Sequence, residues 1–95
     1  MQNFDQLFIL QCNYHRITKM LDELTAIAEH TAQIVLIEDA VFALNHPKIA
    51  AFKNIAILSS DAHLLSTPIE STVRYIDYDE LADFIAHAKK VITWK

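Results

Sequence analysis

The sequence predicts an α/β protein, a three-layer α/β/α arrangement around a small, mostly parallel sheet of about five strands. Three observations carry this. Short apolar quartets recur along the chain, polar residues suited to starting helices follow the first four of them, and helix-period segments lie between. The quartets are Leu7–Leu10, Ile34–Ile37, Ile55–Leu58 and the weaker Val73–Ile76, with Val91–Trp94 as a fifth near the end. Continuous apolar runs, as opposed to strict alternation, suit strands covered on both faces, as in parallel sheets.

The polar residues that follow are Asn13, Asp39, Ser59-Ser60-Asp61 and Asp77, all of types favoured at helix N-caps. After Asn13, Ile17, Met20, Leu21, Leu24, Ile27 and Ala28 fall on one helical face. After Asp77 the same holds for Tyr78, Leu81, Phe84, Ile85 and Ala88, and Glu80 stands where a capping-box partner belongs. Strand, cap, amphipathic helix and strand make up a βαβ unit, whose crossover is right-handed. The middle is shorter. Pro47 separates a turn at Ala40–Leu44 from a second at Lys48–Phe52, and a brief helix near Asp61–Leu65 ends before Pro68. Nothing reads as a linker or a repeat, so the expectation is one domain spanning 1–95.

Composition narrows the function. Of 95 residues, 53% are apolar, above the usual ~45–50%, and a chain this short buries only somewhat over roughly 60% of its unfolded surface. The surplus implies a partner or a homo-oligomer. The net charge is −4 and the longest basic run is Lys89-Lys90, which argues against direct binding to nucleic acid. There is no glycine at all. Phosphate cradles need backbone at positive φ in close approach to the ligand, so neither a P-loop nor a Rossmann fingerprint can be written in this alphabet. No cofactor is expected. The N-terminal Met1-Gln2-Asn3-Phe4-Asp5 is polar without a positive flank, and no apolar span is long enough for a membrane. A cytoplasmic location is the expectation.

In parallel α/β sheets, ligands gather beyond the carboxyl ends of the strands. There the sequence places Cys12-Asn13, Glu38-Asp39, Ser59-Ser60-Asp61 and Asp77, an acidic and hydroxylic rim. Cys12 has two readings. Near a helix start, with His15 and Arg16 close in sequence, it is a candidate thiolate able to accept sulfur. As a lone cysteine it packs as a small hydrophobe under the first loop, and that reading is favoured. Glu38-Asp39 as an acid–base pair is set against Asp39 as a cap, and the cap is favoured. Ser59-Ser60 reads as a helix entrance, since no histidine base is placed beside it. His15, His30, His46, His63 and His87 lack ligand spacing, and one cysteine excludes a multi-cysteine site, so no metal is expected. Trp94 is placed to seal the sheet edge or to anchor an interface.

The stretch Ile34–Val41, the strand Ile55–Leu58 with its following Ser-Ser-Asp-Ala-His-Leu-Leu, the segment Tyr75–Leu81 and a tryptophan near the end together resemble the DsrH/TusB family. The resemblance covers most of the chain, best from about Gln33 onward. It implies a DsrE/DsrF/DsrH-like α/β/α domain in a cytoplasmic sulfur relay. Its partners would be related DsrE/TusD-like and DsrF/TusC-like subunits in a hetero-oligomer that passes persulfide sulfur toward 2-thiolation of the tRNA wobble uridine. The principal sulfur-carrying cysteine of such a complex lies on the TusD-like partner, which implies a mainly structural role for this subunit. The departures are specific. Family members commonly read Asp-Gly where this chain has Asp39-Ala40, and some carry a cysteine in the first helix where this chain has Glu23-Leu24. Cys12 inherits no role, and no catalytic residue is carried over.

The rival reading is an enzyme that uses Cys12 as a phosphoryl or sulfur acceptor. Cys12 after the first strand, with Thr18 six residues on, resembles the loops of phosphotransferase IIB subunits and small phosphatases. Those loops aim several N–H groups at one phosphate and generally need glycine. Arg16 also falls two residues short of the expected arginine position.

Overall fold

Five parallel strands form one sheet in the order β4-β3-β2-β1-β5. They are β1 (Gln6–Leu10), β2 (Gln33–Leu36), β3 (Asn54–Leu58), β4 (Val73–Ile76) and β5 (Lys90–Trp94). The computed structural model describes residues 6–11, 13–28, 32–45, 49, 52–64 and 73–94. Every apolar quartet read from the sequence is a strand, and the sheet is entirely parallel.

Register turns the quartets into two apolar faces. Ile92, Phe8, Ile34, Ile55 and Val73 form one cross-strand row, and Trp94, Leu10, Leu36, Ile57 and Tyr75 the next on the same face. Above them lie helix α1 (Ile17–Ile27), through Ile17, Met20, Leu21 and Leu24, and a 3-10 segment, Glu38–Asn45, through Ala40, Val41 and Ala43. The opposite face carries Leu7, Ile9, Val35, Ala56, Leu58 and Ile76, covered by helix α2 (Tyr78–His87) through Phe84 and Leu81. The result is three layers, with one outer layer supplied by α2.

Connectivity explains the asymmetry. From β1 to β4 the chain steps steadily one way across the sheet, and right-handed crossovers place those connections on one face. The β4-to-β5 connection returns across the whole sheet, which sends α2 to the other face.

The helix starts differ in chemistry. Asp77 caps α2, its Oδ1 accepting the Glu80 N–H at 2.8 Å. Glu80 turns its carboxylate to Arg74 at 3.0 Å, so the expected capping box is half built. The Arg74 guanidinium also lies 5.6 Å from the Phe84 ring centroid, a cation–π distance. Asp77→Ala is expected to cost about 1 kcal/mol of stability by urea unfolding, and Asp77→Asn less. At α1 the expected cap is replaced. A 3-10 turn, Tyr14–Arg16, comes first, the Asn13 carbonyl accepts the Arg16 N–H at 3.1 Å, and the helix begins at Ile17 without a side-chain cap.

The middle connections wind as 3-10 helix, Glu38–Asn45 and Ser59–Leu64, where short helical turns were expected at Ala40–Leu44 and near Asp61–Leu65. Of the second expected turn, Lys48–Phe52, the described part shows the Phe52 N–H bonded to the Ile49 carbonyl at 3.1 Å. Pro47, Leu65 and Pro68 lie outside the described residues. Ala40, where the resembled family has glycine, is fully buried, and its methyl belongs to the core. Position 40 therefore makes no demand that only glycine meets. Among the described residues the one positive φ is that of Glu38, at 52°.

Candidate functional site

Three strand ends meet in a polar network at the carboxyl rim of the sheet. Gln11, just past β1, donates its Nε2 to Glu38 Oε1 at 3.1 Å. Glu38, two residues past β2, donates its backbone N–H to Asp61 Oδ2 at 2.9 Å, and Asp61 belongs to the 3-10 segment that follows β3. The β1 and β2 ends are also tied directly, by the Ile37 N–H to the Leu10 carbonyl at 3.0 Å.

Glu38 is the conformational outlier. A side chain with a Cβ in the left-handed region costs roughly 1–2 kcal/mol, so neighbouring bonds must hold it there. The Asp61 carboxylate does so by accepting the N–H that this conformation aims outward, and the Gln11 amide secures the side chain. Asp61 thus serves a backbone group on another strand connection.

The strand order reverses at β1 and β5, and the next ends along the rim are those of β3 and β4. The segment after β3 joins the α1 side, while α2 after β4 covers the other face, and such a divergence opens a crevice in doubly wound sheets. Here Ser59 Oγ donates to the Ile76 carbonyl at 3.1 Å, bridging it, and Asp77 caps α2. Ser59 is a tie between strands. Of the two residues weighed as an acid–base pair and set aside for a cap at Asp39, Asp39 is exposed within the 3-10 segment and Glu38 is held by Gln11 and Asp61.

Cys12 lies outside the described residues, between Gln11, whose N–H donates to the Trp94 carbonyl at 2.7 Å, and Asn13. His30 and His46 lie outside them as well. His87 on α2 places Nδ1 2.8 Å from the Asp83 carbonyl oxygen, and His15 is exposed in the turn before α1. Among the described residues no three His, Cys, Asp or Glu side chains gather as a metal site requires. No described helix is long and apolar enough to cross a membrane.

Trp94 resolves toward the sheet-edge role. Its ring stacks on Phe8, with centroids 5.8 Å apart, and its indole N–H donates to Glu23 of α1 at 3.1 Å. Sequence reasoning did not single out Gln11, the Glu23–Trp94 bond or the Arg74–Glu80–Phe84 cluster. Only Gln11 left a trace, as a polar residue directly after an apolar quartet.

No family model matches the chain, and no curated protein matches its sequence. Among solved structures, the crystal structure of the YchN protein from E. coli is similar, with a TM-score of 0.64 over 99% of this chain and 100% of that one. The chain shares the five-stranded parallel α/β fold of that protein. Sequence identity is 14%, so the likeness is one of architecture. It bears out the α/β fold read from the sequence and leaves any family assignment to the functional argument.

Proposed function

We propose that this chain is a non-catalytic, DsrH/TusB-like subunit of a cytoplasmic sulfur-relay complex that passes persulfide sulfur toward 2-thiolation of the tRNA wobble uridine. The observation that carries the reading is the five-stranded parallel sheet in the order β4-β3-β2-β1-β5, which agrees with the fold that the DsrH/TusB resemblance implies and is similar over 99% of the chain to that of YchN. The chemistry of the rim supports the architectural role. Gln11, Glu38, Ser59, Asp61 and Asp77 are engaged in tying strand ends and capping α2. Sulfur transfer from a persulfide moves the outer sulfur to an acceptor thiolate and releases the donor thiol, so it needs a cysteine in the relay and no cofactor.

Surface composition supports association with related subunits. Tyr78 is 68% exposed and Ile85 44%, although both fall on the apolar stripe read for α2. Of the helix only Phe84 is buried, with Leu81 and the C-capping Ala88 partly so. Apolar area is therefore left at the surface, as the 53% apolar content requires.

The test is genetic. Deleting the gene is expected to bring 2-thiouridine in bulk tRNA, measured by mass spectrometry of nucleosides, close to background. The wild-type chain and Cys12→Ser should restore it equally, and both should co-purify with two related α/β subunits. Unchanged thiolation after deletion would remove the tRNA branch of the proposal. A folded Cys12→Ser chain that fails to restore thiolation would transfer the sulfur-carrying step to this subunit.

A further inference from the structure

The outer edge of β5 has the features of a self-complementary surface. In a strand, the N–H and C=O of one residue point to the same side, and the sides alternate along the chain. The Trp94 carbonyl accepts from Gln11 on the β1 side. Lys90, Ile92 and Trp94 therefore address β1, and Val91 and Thr93 turn their backbone N–H and C=O away from it. No described strand lies on that side. Val91 is 40% exposed and Thr93 is exposed. Two N–H and two C=O groups are presented in a row.

The geometry points to antiparallel pairing of β5 with β5 of a second copy, about a two-fold axis through Ile92. An exposed strand edge is a template for another strand, and a two-fold axis makes one patch serve both partners. Centring on Ile92 sets Val91 opposite Thr93 of the partner, and each such pair exchanges two backbone hydrogen bonds, four in all. This register pairs the whole strand. A shift centred on Val91 or Thr93 leaves one end overhanging.

Side chains select the same register. Residues directly opposite in an antiparallel pair share a face. Lys90 then lies opposite Trp94 of the other copy, on the face where that indole binds the Glu23 carboxylate. The ammonium meets an aromatic ring and a carboxylate together, so the charges are complementary at both ends of the pair. On the other face Val91 meets Thr93, a β-branched pair suited to adjacent strands. The opposite sheet edge lacks this match. β4 carries Arg74 in mid-strand, and a mid-strand charge is a common guard against edge pairing. The inference concerns the chain's own association and does not rest on the sulfur-relay reading.

The experiment uses the full chain in sedimentation equilibrium over a wide concentration range. The wild-type chain is expected to dimerise reversibly. Thr93→Pro removes an N–H that faces away from β1, which leaves the β1–β5 ladder intact, and should be monomeric with a near-native circular dichroism spectrum. Lys90→Glu should weaken the dimer about tenfold or more, and adding Glu23→Lys should restore part of the loss. Hydrogen exchange on the unmutated chain gives a readout independent of any variant's folding. The Val91 and Thr93 amides should be protected at high concentration and released on dilution, while the Ile92 amide stays protected throughout. A wild-type chain that remains monomeric, a dimer untouched by Thr93→Pro, or Val91 and Thr93 amides indifferent to dilution would each overturn the inference. So would capture of the same edge by a related subunit with no self-association.

Discussion

Phe8→Ala is expected to destabilise the protein by about 3–5 kcal/mol, the usual range for emptying a fully buried aromatic site. A chain of this length is stable by roughly 5–15 kcal/mol at most, and its small size places it low in that range. Phe8 is fully buried in the second strand from the β5 edge, in the row Ile92–Phe8–Ile34, and its ring is the floor on which Trp94 stacks. Removing it leaves a void under α1 and deprives Trp94 of its partner, so the loss of β5 accompanies the loss of core. Urea titration should show a much lower midpoint for Phe8→Ala than for Phe8→Leu, which keeps most of the volume. A double-mutant cycle with Trp94→Ala should be non-additive, because the two rings are in contact. Additivity within experimental error would mean that Trp94 is held by Glu23 alone.

How much of this was legible in the sequence follows from what determines each feature. The strands were, because four adjacent apolar residues such as Leu7–Leu10 have few alternatives in a chain with helical periods between them. The two helices were legible by periodicity, but their exact faces were not. Ile27 sits on the predicted face of α1 yet, as the last residue of the helix, is 53% exposed. Tyr78 and Ile85 extend the apolar stripe of α2 further than a single covering helix can bury. The missed cap at Asn13 shows a different limit. A cap is a local choice, and a 3-10 turn competes with it at almost no cost in sequence signal.

The rim was legible as a set of residues and opaque as an arrangement. Asp61, Ser59 and Asp77 were placed correctly at the carboxyl ends of their strands, because topology fixes that position. What each one bonds was set by tertiary structure: Asp61 to a backbone N–H 23 residues earlier, Ser59 to a carbonyl 17 residues later. A positive φ at a glutamate carries no sequence mark, since glutamate is not a residue that visits that region by preference. The resemblance pointed attention to the missing glycine at Ala40, whereas the residue in the left-handed region is Glu38, two positions earlier.

That displacement yields the second large prediction. Asp61→Ala should cost about 1–2 kcal/mol, because it removes a charge-assisted bond and leaves a left-handed glutamate without the acceptor that holds it. Glu38→Gly should act in the opposite direction and recover roughly 1 kcal/mol, since glycine enters the left-handed region without a Cβ penalty. The gain is offset in part by the unfolded-state freedom that glycine adds and by the lost Gln11 contact. The cycle discriminates between two accounts of the rim. If the Asp61 carboxylate serves chiefly to hold the strained turn, Asp61→Ala should cost distinctly less in the Glu38→Gly background, with a coupling of at least about 0.5 kcal/mol. If the two effects simply add, the strain at Glu38 is maintained by the packing of Ala40 and Val41, which follow it in the 3-10 segment, into the core, and Asp61 is a surface bond of ordinary worth. Because Glu38 joins the ends of three adjacent strands, the same cycle measures how far the carboxyl edge of the sheet behaves as one rigid platform.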